Sequence, residues 1–263
     1  MNSASIEKAA EILATVRIDG GEIQAFDHEL RPSNEAEAYK IQACLHKILE
    51  NRGHGKVIGY KIGCTTSVMQ KFLAIDNPCA GSILEPGLYN GKANFLHSSF
   101  QHVGVECEIA VRLKRSLGFG CMIPKLEEIS NYVASVLPAI EIVDDRYQNY
   151  ELLGAPTLIA DDFFHSACVV GDGISSWKHS ELGSLRGVMM VNGAVAGSGI
   201  GSDIMGHPLA ALQWMARLFE DLGKVIEPGQ VVLLGSVVET KWVEAGDTVQ
   251  VDIEQLGRVE AQF

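Results

Sequence analysis

The stretch from Val103 to Leu113, VGVECEIAVRL, constrains this chain more than any other. Val103, Val105, Cys107, Ile109, Val111 and Leu113 fall on one parity, and Gly104, Glu106, Glu108 and Ala110 on the other. That alternation is the period of a β-strand with one face in a core. The second face is unusual, because Glu106 and Glu108 stand side by side near the middle. Like charges at that spacing repel, and each raises the other's pKa unless something positive intervenes. A divalent metal is the simplest such thing. A second apolar run, Leu137 to Asp145, carries one acid, Glu141, between Ile140 and Ile142. Three glutamates on two strands form an oxygen-only site with room for substrate oxygens and water, the ligand set that Mg²⁺ or Mn²⁺ prefers. The commoner meaning of Glu-x-Glu on a strand is a solvated face; the isolated Glu141 shifts the balance toward metal.

Bulk properties narrow the partners. A length of 263 residues with 47% hydrophobic content suits one large domain with a small appendage. The net charge of −12 argues against nucleic acid and anionic membranes, which call for clustered Lys and Arg. No apolar run approaches the ~20 residues that span a bilayer. The N-terminus has early acids and no long apolar core, unlike a secretory signal. The six cysteines are scattered without a C-x-x-C pair, which argues against a zinc site or disulfide framework. A cytoplasmic globular protein is the expectation.

Residues 1–55 read as a helical N-terminal subdomain and residues 56–263 as a mixed β-sheet body. Ile6, Ala9, Ala10, Leu13 and Val16 have helical spacing, and a second helix starts near Asn34 with Glu37 as its capping-box partner. From Val57 the period changes: Val57–Gly63 is a buried strand, and 65–72 a short helix. Pro124 opens a helix with a stripe at Leu126, Ile129, Val133 and Val136, which Pro138 ends. Asn192-Gly193 is a two-residue hairpin turn, Pro208 to Leu222 a helix stopped by Gly223, and three short strands follow. The glycines after the hairpin do not open a βαβ unit, so a dinucleotide site is rejected. The strand-rich C-terminal two thirds imply an α+β fold.

Several stretches in order, Gly59-Tyr-Lys-Ile-Gly-Cys-Thr65, Val105-Glu-Cys-Glu-Ile109, Leu137-Pro-Ala-Ile-Glu-Ile-Val143, Gly206-His-Pro-Leu209 and Gly229-Gln-Val-Val-Leu-Leu-Gly-Ser236, give the chain a family likeness. It resembles the fumarylacetoacetate hydrolase superfamily, and within it the hydratase/decarboxylase branch of 2-hydroxypenta-2,4-dienoate hydratase and 4-oxalocrotonate decarboxylase. The resemblance implies mixed β-sheets rolled into a sandwich, Mg²⁺ or Mn²⁺ on Glu106, Glu108 and Glu141, and Lys61 as acid/base; a lysine near a cation and partly desolvated would have a lowered pKa and could serve. It implies substrate contacts at Ser236, Thr65 and position 79, and assembly as a homo-oligomer. The activity implied is that of a metal-dependent hydratase of 2-hydroxy-2,4-dienoate or 2-oxo-4-enoate acids from aromatic meta-cleavage. The alternatives are a 4-oxalocrotonate-type decarboxylase, an acylpyruvate-type C–C hydrolase and a non-catalytic 2-oxo acid binder. A decarboxylase acting on a diacid calls for an extra cation, with Arg146 and Lys241 as candidates.

Two positions depart from that branch. Cys79 stands where many hydratases carry aspartate, and Phe163, Phe164 and His165 are bulky where small polar residues are usual. No His–Glu pair of the hydrolase kind stands out: His97 and His102 lack a surrounding motif, His207 is a helix cap, and His46 with Glu50 reads as a surface pair.

Overall fold

The computed structural model describes residues 1–23, 26–150, 153–179 and 181–263; Gln24 and Ala25, in the link after the first helix, fall outside. The N-terminal part holds α1 (Ser3–Asp19), α2 (Glu35–Asn51), β1 (Val57–Gly63), α3 (Ser67–Phe72), β2 (Cys79–Leu84), β3 (Leu88–Asn90) and β4 (Lys92–Asn94). The centre holds β5 (Val103–Leu113), β6 (Leu117–Gly118), α4 (Leu126–Ile129), β7 (Val133–Asp144), α5 (Ala155–Ala160) and β8 (His165–Val170). After these come β9 (Arg186–Val191), β10 (Ala194–Ile200), α6 (Pro208–Leu222), β11 (Val225–Ile226), β12 (Val231–Ser236), β13 (Lys241–Trp242), β14 (Thr248–Ile253) and β15 (Gly257–Gln262).

The strands form a mixed eight-stranded sheet in the order β2-β1-β12-β5-β7-β8-β3, with β13 paired to β5. A five-stranded sheet, β10-β9-β14-β15-β4, packs on it through β14 and β15 against β7. This is the α+β body of mixed sheets that the sequence implied. The odd-numbered face of β5, from Val103 to Leu113, lies at 0–1% exposure in the main core, together with Val249, Val251, Ile253 and Val259 of the facing sheet. The acid-bearing face is not solvated. Glu108 and Ala110 are fully buried, and a small second cluster of Ala110, Leu137, Ala139, Cys168 and Leu233 covers that side. No helix among the described residues is long and apolar enough to cross a membrane.

The local reasons are readable. Asn34 caps α2 by accepting the Glu37 N–H at 3.0 Å, but the return half of the capping box is displaced: the Glu37 carboxylate accepts from Ser33 N–H and the N-terminal amine. Asn192 (φ +52°) and Gly193 (φ +78°) make the hairpin turn whose twist suits its strands. Gly223 (φ +67°) closes α6 in the left-handed conformation.

The expected helix from Pro124 to Pro138 is corrected. α4 spans only Leu126–Ile129, and Val133 and Val136 belong to β7, which pairs with β5 along its length. Pro138 is tolerated in that strand because β8 has ended beside it: Ala139 pairs with Val170, the last residue of β8, and the Pro138 carbonyl accepts from Gly171 N–H at 2.9 Å.

α1 and α2 share the main core with the sheets, from Leu13 and Ile41 to Phe219 and Val232. A polar latch adds to this. Arg17 places Nε 2.6 Å from Asp161 Oδ1 and Nη1 3.0 Å from Asp162 Oδ2, and donates to the Asp161 carbonyl at 2.7 Å. His46, expected at the surface, is buried and reaches Asp162 at 2.9 Å from α2. Burial pushes the Asp162 carboxyl up, and His46 and Arg17 outweigh it, holding Asp162 well below the usual range. Replacing Arg17 by Met leaves buried acid charge undercompensated; the expected loss is about 3–5 kcal/mol in urea unfolding, and a loss below about 1 kcal/mol would contradict the latch.

Candidate metal and acid/base site

The register of the central sheet builds the site. Glu106 on β5 lies directly opposite Glu141 on β7, and Glu108 follows two residues along the same face. One oxygen from each of Glu106, Glu108 and Glu141 lies within 4.8 Å of the others. Each carboxylate is held from behind. Glu106 Oε1 accepts from the Thr240 hydroxyl, Glu108 Oε2 from Gly235 N–H at 2.6 Å, and Glu141 Oε1 contacts His165 Nδ1 at 2.8 Å. The second oxygens of two of them, Glu108 Oε1 and Glu141 Oε2, are buried with no hydrogen-bond partner. Buried carboxylate oxygens are rarely left bare. Two here, among three converging acids, match the hard oxygen donors that a divalent cation takes.

Lys61 comes from β1, two strands away across β12. Its ammonium donates to the Phe163 carbonyl at 2.9 Å and lies 3.2 Å from Glu141 Oε1, with the residue only 2% exposed. The opposite residue on β2 is Gly81, and a Cβ there would fall 2.7 Å from the Asp162 carbonyl and 3.1 Å from Lys61 Cε. Glycine therefore makes room for both the lysine and the 162–164 segment. Gly235 (φ +125°) sits in the irregular stretch of β12, where a Cβ would meet Thr65 Oγ1 at 2.4 Å. That close approach is what aims its N–H at Glu108.

The electrostatics are uneven. Burial, then the neighbouring Glu141, pushes the Glu106 carboxyl up to about 7, and burial with Glu141 and Glu106 pushes Glu108 well above its usual range. Burial raises Glu141 too, but Lys61 and His165 outweigh it and hold Glu141 low. Burial pulls Lys61 down, and Glu141 with Glu106 more than reverses this. Without a cation the protein's own carboxylates thus hold the lysine pKa up; the lowering expected from the sequence concerns the lysine beside a bound cation.

Beside Lys61 and Glu106 opens a cavity of about 870 Å³, lined also by Cys64, Thr65, Phe163, Phe164 and Ser236. Thr65 and Ser236 thus face it, although the Ser236 hydroxyl has the Val238 carbonyl at 2.6 Å and the Cys107 carbonyl at 3.1 Å as acceptors. Cys79 does not line the cavity. It is fully buried, pairs with Gly63 across the strands, and its thiol contacts Cys64. Arg146 also lies elsewhere: it is buried against Asp161 at 2.9 Å and Asp144 at 3.6 Å and lines a different cavity. His97 contacts the Val243 carbonyl at 3.0 Å, His102 stacks on Trp242, and His207 caps α6 by accepting Leu209 N–H.

Sequence reading missed what holds the acids: His165, Thr240 and Gly235. The bulky residues at 163–165 were the one visible signal. Asp162, Phe163 and Phe164 all adopt positive φ, at +53°, +52° and +66°. This left-handed run turns the Phe163 carbonyl to Lys61 and delivers His165 to Glu141.

The chain belongs to the fumarylacetoacetate (FAA) hydrolase C-terminal family, whose model matches residues 88–263. A 4-oxalocrotonate decarboxylase of Pseudomonas putida is 27% identical over 264 residues, covering 100% of this chain and 98% of that protein. A 2-hydroxyhexa-2,4-dienoate hydratase of Comamonas testosteroni is 31% identical over 230 residues, covering 86% of this chain and 85% of that one. The structure of 4-oxalocrotonate decarboxylase from Pseudomonas putida G7, complexed with magnesium and adipate, superposes with a TM-score of 0.93 at 25% identity, covering 100% of this chain and 98% of that one.

A raised carboxylate pKa means that the folded state disfavours the ionised form. For Glu106 the cost is absent below its usual value of 4.5 and sets in as pH rises toward about 7. With a chelator present, the stability contribution of this group should fall between pH 5.5 and 8. Glu106→Gln should remove that part of the pH dependence, read by thermal unfolding at both pH values; an unchanged pH dependence would contradict it.

Proposed function

We propose that the chain is a divalent-metal-dependent lyase, a hydratase of 2-hydroxy-2,4-dienoate or 2-oxo-4-enoate acids from aromatic meta-cleavage, with Mg²⁺ or Mn²⁺ on Glu106, Glu108 and Glu141. The observation that carries it is the trio of converging carboxylates, two of them buried with unpartnered oxygens, beside an ammonium at the wall of a large cavity. When bound, the cation would neutralise the acids and polarise the 2-oxo group of the substrate as a Lewis acid.

The chain's own groups supply the rest. Lys61 is fixed by the Phe163 carbonyl and Glu141, so its proton is held at one place facing the cavity. It serves as the acid that protonates the carbon chain during ketonisation and as the base in the reverse sense. Neutralising Glu141 and Glu106 removes the field that holds the lysine pKa high, which makes it a better acid only in the loaded site. Thr65 and Ser236 border the cavity beside Lys61 and would meet the substrate carboxylate through their hydroxyls.

The second reading is a 2-oxo acid decarboxylase. The full-length likeness to a 4-oxalocrotonate decarboxylase favours it, and Lys61 would then protonate the carbon that loses CO₂. In either case the chain works in the cytoplasm as a homo-oligomer. Exposed Val68, Leu96, Val195 and Trp242 offer apolar surface to a second copy.

Lys61→Ala should keep Mg²⁺ binding by calorimetry yet cut turnover of 2-hydroxypenta-2,4-dienoate by roughly 10²-fold or more, followed by ultraviolet absorbance. Unchanged turnover would remove Lys61 from the reaction. Release of CO₂ from 4-oxalocrotonate, without hydration of the dienoate, would select the second reading.

A further inference from the structure

We propose that the acid taken by this site carries one carboxylate and a bulky apolar tail, and that Phe164, in a row with Phe163 and Tyr150, reads that tail. The inference rests on the proposed 2-oxo acid chemistry and concerns the aromatic wall of the cavity.

The row starts at the lysine. The Lys61 ammonium lies 5.5 Å from the centroid of Phe163. The Phe163 ring meets Phe164 edge to face at 5.5 Å, and Phe164 meets Tyr150 at 5.3 Å. All three rings line the cavity, with Met69, Leu73, Val143 and Leu158 adding aliphatic wall. The chain holds Phe164 there with a left-handed backbone (φ +66°), anchored by the buried Asp161 and Asp162 just before it. A conformation that residues with a side chain rarely adopt is retained at the cavity wall.

The charges of the described lining residues disfavour a second carboxylate on the substrate. Among the described residues lining the cavity, Lys61 is the one lysine or arginine, and its ammonium is already engaged by Glu141 and the Phe163 carbonyl. The other charged side chains there, besides Glu106, are Asp203 and Glu239, both acids. The two cations that the sequence offered for a diacid stand outside. Arg146 is locked to Asp161 and Asp144, and Lys241 lies 3.6 Å from Glu239 and does not line the cavity. A distal carboxylate would leave water for an apolar wall and meet like charge, each of which costs affinity. An aryl or long alkyl tail buries its surface against the aromatic row instead, and a cavity of about 870 Å³ is ample for one. This sets the chain apart from the decarboxylase structure that holds adipate, a diacid.

The test is calorimetric binding to the Mg²⁺-loaded protein of three 2-oxo acids: pyruvate as the tail-less reference, 2-oxoadipate, and 2-oxo-4-phenylbutanoate. The phenyl acid should bind at least about tenfold tighter than pyruvate, and 2-oxoadipate no tighter than pyruvate. Phe164→Ala should lower the phenyl-to-pyruvate affinity ratio about fivefold or more. Met69→Lys, on an exposed turn of α3, should shift the preference toward 2-oxoadipate even if the Phe164 variant folds poorly. Tighter binding of 2-oxoadipate than of the phenyl acid by the unaltered protein would overturn the inference, and so would a ratio unmoved by both variants. Failure of all three acids, pyruvate included, would overturn it together with the proposed function, because the keto-acid end itself would then have failed.

Discussion

Three converging carboxylates, two of them fully buried, against one buried ammonium set the terms for everything around them. Glu106, Glu108 and Glu141 occupy the same face of adjacent strands, and Lys61 offsets only part of their charge. Water cannot solvate Glu108 and Glu141 there and reaches Glu106 only from the cavity, so an ionised group must find a partner or take up a proton. The protein answers unequally. Glu141 receives Lys61 and His165 and stays ionised, while Glu106 and Glu108 are driven toward the neutral form. A divalent cation resolves this imbalance, and the chain keeps the imbalance because replacing the acids with apolar residues would abolish the site.

The support for that cluster is long-range. α1 and α2 send Arg17 and His46 to Asp161 and Asp162, and this anchors a three-residue left-handed turn. Left-handed backbone at residues with side chains persists where surrounding contacts over-determine it. The turn places a carbonyl on Lys61, a histidine on Glu141, and two phenylalanines in the cavity. Helices, turn and carboxylates are therefore mechanically one unit.

The acids were legible in the sequence because strand periodicity is local. Glu106 and Glu108 share the second face of a strict alternation, and Glu141 interrupts an apolar run, so neither reading needed knowledge of the fold. Their meeting depends on the pairing of β5 with β7, which periodicity does not specify; the charge pattern suggested it, and the family likeness pointed to the same three residues. The contacts behind them were not legible: Arg17 lies 144 positions from Asp161, and Thr240 lies 134 from Glu106. The start of β7 was misread because Val133 and Val136 also fit helical spacing and Pro138 resembled a stop. Pairing along β5 overrode both signals, and the missing proline N–H cost nothing beside the end of β8. Cys79 was expected near the substrate by family likeness and Arg146 as a cation for a diacid, and burial puts each of them behind the cavity wall or away from it.

Anomalous X-ray scattering from crystals of this chain grown with Mn²⁺ tests the central claim most directly. A single strong peak within coordination distance of Glu106, Glu108 and Glu141 is the predicted result. A peak elsewhere, or none at saturating Mn²⁺ with the three carboxylates still converged, would contradict it.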